Sequence, residues 1–158
     1  MPAVSIELLP DPPAADVVAA IEVADDVGLD TAFLADEVYH RDAWLLLASA
    51  AARTRTIRLA AGVAHVTLHD PLLVAQQLAT LDEMSGGRAA VAFSVGNLAM
   101  LEQFGRDPGE LHVAPRLLER MMRCAPSWTM ARSTSRDASS RIAGCSRRRG
   151  RSGRGCRC

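Results

Sequence analysis

The chain has 158 residues, of which 49% are hydrophobic, and a formal net charge of zero. That total combines two opposite parts: residues 1–115 carry 6 Arg, no Lys and 16 acidic residues, a net charge of −10, whereas residues 116–158 carry 12 Arg and 2 acidic residues, a net charge of +10. No apolar run is long enough to span a membrane, no signal peptide is seen, and the cysteine-free first part favours a cytoplasmic protein.

The chain opens with a predicted strand, helix and second strand. Val4–Leu8 is typical of a strand, and the proline-rich residues 10–13 supply the loop after it. Apolar residues then recur at helical spacing up to Gly28, a residue type at which helices often end; they are Val17, Ile21 and Ala24. Thr31–Ala35 is short and apolar enough to be a strand buried on both faces.

The same alternation continues to residue 94. Asp42 is expected to cap a helix over residues 43–53, and Ile57–Val63 is expected to form the third strand. A further helix over residues 71–84 has proline at its first position, directly after an aspartate. A Ser-Gly-Gly turn leads into Ala89–Ser94, the predicted fourth strand.

Predicted strands begin near residues 4, 31, 57 and 89, a spacing of roughly 30 residues that implies parallel βα units. That spacing predicts an α/β fold in which residues 1–121 form the N-terminal half of a (β/α)₈ TIM-type barrel. A doubly wound sheet is the alternative.

Chemistry in such barrels is built where the strands end. The four predicted strand ends carry Glu7, Asp36–Glu37, Gly62–His65 and Ser94–Asn97. Because the carboxyl ends of parallel strands meet at one edge of the sheet, these residues are expected to converge on one mouth.

Four segments resemble the bacterial-luciferase-like oxidoreductases, and most closely their deazaflavin-dependent branch, which includes methylenetetrahydromethanopterin reductase. Phe33–Asp42 is similar to the family's second strand and its loop, and Ile57–Pro71 to the third strand and its loop. Leu78–Arg88 is the most specific signature, and Leu101–Gly105 resembles the segment after the fourth strand. The resemblance covers about residues 4–121.

The resemblance implies a cofactor site on these strand ends. Gly62 and Val63 match the bulge at which this branch has a non-proline cis peptide behind the deazaflavin ring, and Asp36 matches a residue near that ring. The segment that meets cofactor and substrate in relatives includes Ser94, Gly96 and Asn97. The branch often has an acid near position 97, where Asn97 cannot exchange a proton.

The resemblance also implies an activity. Glu7 matches a glutamate near the substrate and is the candidate catalytic residue. The expected reaction is hydride transfer between coenzyme F-420 (a deazaflavin) and an organic small molecule; the alternatives are an FMN-dependent monooxygenase of the same family or a catalytically inactive product. The expected partner is a small-molecule substrate, with no nucleic acid and no membrane, and a homodimer stays open.

Several residues could suggest metal or nucleic-acid sites, but their patterns favour simpler interpretations. His65 and His69 are four residues apart on a strand-to-loop segment rather than on one helix face, and Cys156 and Cys158 lack partner ligands. The arginines within residues 147–151 have no aromatic partners for stacking on bases. No metal site is therefore predicted.

Residues 122–158 form a basic tail rich in Arg, Ser and Cys, which is expected to be unstructured and read out of frame. The absence of lysine indicates a GC-rich gene, since both lysine codons are AT-rich. In the frame that starts at the third base of the Met122 codon, the Trp128–Thr129 junction must encode Asp and the Met130–Ala131 junction must encode Gly. A permitted reading continues the helix predicted from Pro115 and ends it at that glycine.

Overall fold

Strands and helices alternate along the part of the chain that the structure describes. The structure is a computed structural model and describes residues 3–65, 67–94, 98–105, 107 and 141–144. In chain order the elements are β1 (Ser5–Leu8), α1 (Ala14–Asp26), β2 (Thr31–Leu34), α2 (Ala43–Ala51), β3 (Arg58–His65), α3 (Pro71–Ser85), β4 (Ala89–Ser94), α4 (Leu98–Gln103) and β5 (Arg141–Gly144). The four predicted strands and three predicted helices are confirmed, with ends that differ by a few residues.

The strands form one sheet whose spatial order follows the chain order, β1-β2-β3-β4-β5. The first four strands are parallel, and β5 pairs with β4 in the antiparallel sense. A doubly wound sheet requires the strand order to reverse, whereas consecutive units of a (β/α)₈ barrel add strands in one direction. The described units therefore form part of a barrel of the (β/α)₈ type, as predicted.

The hydrophobic core lies between the sheet and helices α1–α3. Its fully buried side chains come from both layers and include Ile21, Leu34, Leu47, Leu59, Leu78 and Val91. Burying each such side chain stabilises the fold by about 1.5–3 kcal/mol. Because side chains alternate along a strand, residues between the core positions face the opposite way, and we call this opposite side of the sheet the inner face.

Helix ends follow the predicted capping pattern. The side chain of Asp42 accepts a hydrogen bond from the amide of Leu45 at 2.9 Å, and that of Asp70 accepts one from the amide of Leu72 at 2.8 Å. Gly86 ends α3 with a φ of 71°, in the left-handed region that glycine adopts without steric cost. These local signals fix where α2 and α3 begin and where α3 ends.

A buried carboxylate joins α1 to the start of β3. Asp25 accepts hydrogen bonds from the backbone amides of Arg55 (2.7 Å), Thr56 (2.9 Å) and Ile57 (2.7 Å), and from the Thr56 hydroxyl at 2.6 Å. Burial alone would raise the pKa of Asp25, but these hydrogen bonds lower that pKa far below its ordinary value. The contact lies at the amino edge of the sheet, away from the predicted mouth.

Arg88, from the predicted signature segment, holds the same edge together. Its guanidinium donates to the carbonyls of Ala51 (3.2 Å), Thr54 (3.0 Å) and Ile57 (2.8 Å) and so satisfies oxygens at and just beyond the end of α2. It also donates to the carbonyl of Ser85 at 2.7 Å. At Arg88, the signature segment therefore stabilises the fold.

The tail was expected to be unstructured, yet four of its residues, Arg141–Gly144, form β5 against β4. This pairing covers the edge of β4 there, with Val91 opposite Ala143. The predicted helix from Pro115 lies outside the described residues. Within the described part of the chain, the longest helix has 15 residues, and none is long and apolar enough to cross a membrane.

Candidate functional site at the carboxyl edge of the sheet

Strand β3 carries an irregularity at its carboxyl end. Gly62 pairs with Ala92, but the next pairs are Ala64 with Phe93 and His65 with Ser94, so Val63 is an extra residue. The Gly62–Val63 peptide is cis, at the position predicted from the resemblance. Because the bulge allows pairing to continue, β3 runs two residues beyond its predicted end and places His65 in the sheet.

Gly62 lies where another element approaches the backbone closely. An ideal Cβ at this position would lie 2.7 Å from Cδ1 of Phe33, and real Cβ atoms essentially never come that close to another heavy atom. Ala32 and Leu34 belong to the helix-facing core, so Phe33 between them points to the inner face. The Phe33 ring therefore packs against the backbone of Gly62, at the place that a side chain at this position would occupy.

Asp36 follows β2 and is buried, with 6% of its surface exposed. Its Oδ2 accepts a hydrogen bond from the indole N–H of Trp44 at 3.3 Å and lies 3.2 Å from Nε2 of His69. The Asp36 and His69 side chains are close enough to form an ion pair, but their geometry is not that of a well-aligned hydrogen bond. The structure thus surrounds this predicted residue with two side chains that the sequence did not point to as site residues.

His69 and His65 lie in the same polar cluster but differ in electrostatic state. The close contact with the Asp36 carboxylate raises the pKa of His69 against the opposing effect of burial. Burial lowers the pKa of His65, and the charges of Asp36 and Glu37 only partly oppose that effect. At neutral pH His65 is therefore an uncharged imidazole, whereas protonation of His69 is favoured.

The Nδ1 atom of His65 is buried and has no hydrogen-bond partner among the described residues. His65 is 7% exposed, so water does not freely replace that partner. A buried polar atom without a partner is uncommon in proteins, and a functional role or a bound water or ion is a typical explanation for one. This atom belongs to the strand that carries the Gly62–Val63 bulge, and a polar group of a cofactor bound at the carboxyl edge would give it a partner.

The other predicted site residues have mixed outcomes. Glu7 is exposed near the carboxyl end of β1, and it lies on the inner face because Ile6 and Leu8 pack against the core. Ser94 ends β4 beside His65 and is half-buried. Gly96 and Asn97 lie outside the described residues, so their predicted roles stay predictions.

The loop after β2 contacts the segment around α4. The Tyr39 hydroxyl donates to Oε1 of Gln103, and the ring centroids of Tyr39 and Phe104 are 5.6 Å apart. His40 lies 3.5 Å from carboxylate oxygens of both Asp11 and Glu37. These contacts draw the loops after β1, β2 and β4 together at the carboxyl edge.

No group of three or more His, Cys, Asp or Glu side chains within the described residues is arranged to hold a metal ion. In particular, His65 and His69 lie near Asp36 without forming such a group. The candidate binding features at this edge are the buried polar cluster and the Gly62–Val63 bulge.

Fold and site together define the class: consecutive parallel βα units with a polar cluster at the carboxyl edge, where (β/α)₈ enzymes build their active sites. Residues 2–119 match the family model of the luciferase-like monooxygenases, and the chain belongs to that family.

Individual relatives refine the comparison. The chain is 35% identical over 100 residues to 5,10-methylenetetrahydromethanopterin reductase of Methanopyrus kandleri and 32% identical over 100 residues to that of Archaeoglobus fulgidus. Each match covers 63% of this chain and 29% or 30% of the relative. The chain therefore spans about three tenths of the length of these curated relatives.

Solved structures agree on the fold. The coenzyme F-420-dependent tetrahydromethanopterin reductase of Methanopyrus kandleri superposes with a TM-score of 0.69 at 26% identity, over 79% of this chain and 40% of that one. The monooxygenase RslO1 of Streptomyces bottropensis gives a TM-score of 0.70 at 25% identity, over 91% of this chain and 48% of that one. Both kinds of enzyme named in these relatives, an F-420-dependent reductase and a monooxygenase, thus share this arrangement of units.

Proposed function

We propose that this chain carries the first half of the active site of an oxidoreductase that transfers a hydride between coenzyme F-420 and a small organic substrate. The observation that carries the proposal is that the irregular Gly62–Val63 segment of β3 and the buried carboxylate of Asp36, which follows β2, both lie at the carboxyl edge of the sheet. Similarity to reductases named as F-420-dependent supports the choice of cofactor. An FMN-dependent monooxygenase is the second candidate, supported by the family match and by the likeness to RslO1.

The proposed binding roles follow from position. The backbone of Gly62 and Val63 would lie against one face of the ring, as the family resemblance implies for this bulge. Asp36, held in place by Trp44 and His69, would lie at the ring's edge. The proposed binding residues at the fourth strand are Ser94, which ends β4, and Gly96 and Asn97, which follow it in the sequence.

A bound deazaflavin would supply the carbon that accepts or donates the hydride with its electron pair. When the substrate is oxidised it loses that hydride and one proton, and when it is reduced it gains both, so the protein has to manage the proton. Glu7 is the proposed residue: its carboxylate lies on the inner face near the end of β1 and can hold the proton.

The test is a fluorescence titration of the chain, and of a form extended in the restored reading frame, with coenzyme F-420 and with FMN. We expect F-420 to bind and FMN to bind more weakly, with tighter binding in the extended form. Binding of FMN alone would support the monooxygenase candidate. If neither cofactor binds to either form, the proposed function is wrong.

The division of the chain at residue 121 also belongs to this proposal. Residues 1–121 form the luciferase-like domain and residues 122–158 add no site residue, as expected of a product read out of frame. The match to the family model, which ends at residue 119, supports this division. Sequencing the gene across codon 122 tests it: a missing or additional base there is expected, and an uninterrupted frame in independent isolates would contradict it.

Two further properties are proposed with the function. Large apolar side chains are exposed on two neighbouring helices, which supports a homodimer; they are Leu45 on α2 and Leu72, Leu73 and Met84 on α3. Light scattering should give twice the monomer mass, and Leu45→Glu should restore the monomer. A cytoplasmic location is supported by the absence of cysteine from residues 1–121, and cell fractionation tests it.

A further inference from the structure

The position of His65 in the sheet directs its side chain toward the inner face. Ala64 belongs to the helix-facing core, so the next residue along the strand faces the other way. His65 pairs with Ser94 at the end of β4, one inner-face row beyond the Gly62–Ala92 pair. Two strand positions correspond to roughly 6–7 Å, a distance within reach of an imidazole that extends along the sheet.

The neighbouring polar groups of the cluster already have partners. Oδ2 of Asp36 contacts Trp44 and His69, and Glu37 lies 3.5 Å from His40. Among the described residues, Nδ1 of His65 is the buried imidazole nitrogen at this edge that contacts neither a carboxylate nor another partner. The cluster therefore presents one buried polar atom without a partner, on the strand that carries the Gly62–Val63 bulge.

We propose that His65 is a cofactor-binding residue whose Nδ1 forms a hydrogen bond with a polar atom at the edge of the ring that lies against Gly62 and Val63. This inference rests on the proposed function. The pyrimidinedione edge of a deazaflavin offers both carbonyl acceptors and a ring N–H donor, and a neutral imidazole can supply either complement through its choice of tautomer. The lowered pKa of His65 keeps the imidazole neutral, so that both options remain at physiological pH.

A matched pair of substitutions distinguishes the role of Nδ1 of His65 from that of Nε2. In His65→Asn the side-chain amide replaces Nδ1, whereas in His65→Gln it replaces Nε2 and leaves the Nδ1 position empty. Loss of one hydrogen bond to the ligand typically weakens binding by about tenfold. We therefore expect His65→Gln to raise the dissociation constant of oxidised coenzyme F-420 about tenfold, and His65→Asn to raise it by less than about threefold.

The closing experiment combines this titration with ¹⁵N NMR of the imidazoles in the full chain, with and without coenzyme F-420. The His65 Nδ1 resonance should shift on binding, while that of His40, which lies between Asp11 and Glu37, should not; His40→Asn is the matched control for affinity. If neither the unaltered chain nor the frame-restored form binds coenzyme F-420 or FMN, the proposed function is wrong and this inference with it. If either form binds one of these cofactors and the His65 resonance does not move, this inference alone is wrong, whether or not the variants fold.

Discussion

At the residue scale, His65 and His69 make the stability of the fold depend on pH in opposite directions. His69 has a raised pKa in the folded chain, so the folded state binds more protons than the unfolded state above about pH 6.5. Its contribution to stability is present below that pH and is lost as pH rises through the folded pKa. His65 has a lowered pKa, so its protonation opposes folding as pH falls below about 6.5.

We predict that variants at the two positions change the pH profile in opposite directions. His69→Gln keeps a donor near Asp36 without titrating, so the stability difference between unaltered chain and variant should shrink as pH rises above about 6.5. With His65→Asn, the unaltered chain should lose stability relative to the variant as pH falls below about 6.5. Urea unfolding between about pH 5 and pH 9 measures both, and parallel profiles for all three proteins would contradict the assignment.

Asp25 supports a second residue-scale prediction. Asp25→Asn removes the charge and places amide hydrogens against N–H and O–H donors, which should cost about 2–4 kcal/mol in the free energy of unfolding. Because the folded pKa is lowered, the contribution is present above the ordinary pKa of 3.8 and is lost as pH falls below it. Asp26→Asn is the control, since this exposed neighbour contacts Arg55 at 3.4 Å and should cost less than about 0.5 kcal/mol. Equal effects of the two substitutions in urea unfolding would be the opposite result.

The sequence could point to Asp36 through the family resemblance, but not to the residues that hold it. Trp44 lies in an apolar helical run, where an aromatic residue is more often part of the core, and its indole N–H gives no signal in the sequence. The spacing of His65 and His69 suggests at most a metal pair. It does not show that Asp36, from the loop after β2, lies beside His69. Such contacts depend on the positions of loops rather than on local pattern.

At the scale of elements, the approach of β2 to β3 depends on Gly62. We predict that Gly62→Ala destabilises the chain by about 1–3 kcal/mol, because its Cβ would meet the ring of Phe33. In a Phe33→Ala background the same substitution should cost much less, giving a coupling energy of about 1–2 kcal/mol.

A double-mutant cycle in urea measures that coupling. It isolates the contact because Phe33→Ala alone reports the loss of the ring. If the two substitutions are additive within about 0.5 kcal/mol, the contact does not determine the residue at position 62.

Local signals predicted the elements well because each acts within a few residues. Asp42 and Gly86 act through the hydrogen bonds and dihedral angles of single helix ends. The extension of β3 to His65 depends instead on pairing with Phe93 and Ser94, about 30 residues further along the chain. A long-range pairing of that kind leaves no periodic signal, which is why the predicted strand ended at Val63.

At the scale of the whole molecule, we predict that residues 1–158 as given do not turn over substrate. Four parallel strands are found in the described part of the chain, whereas a closed barrel of this type contains eight, so the described residues face the ring from one side only. Turnover of coenzyme F-420 and of FMN should be measured together with molecular mass, using the frame-restored form as the positive control. Steady turnover by the unaltered chain, as monomer or dimer, would contradict this expectation.

At this scale, the pairing of the C-terminal tail with the sheet could not be predicted from the sequence. Its composition argued against any packed structure, yet Arg141–Gly144 pairs with β4. Backbone hydrogen bonds to an open strand edge require little of the sequence that supplies them, so composition does not exclude such pairing. Amide exchange at Ile142 and Ala143 measures how persistent that pairing is.

The order of the sheet has a consequence for how the chain is made. Each parallel strand pairs with the strand that precedes it in the sequence, so every strand that leaves the ribosome has its neighbour already synthesised. Each ladder closes a segment of only about 30 residues, which keeps the entropy of closure modest at every step. The nascent domain can therefore lengthen by one βα unit at a time, with its newest parallel strand as the edge strand of the growing sheet.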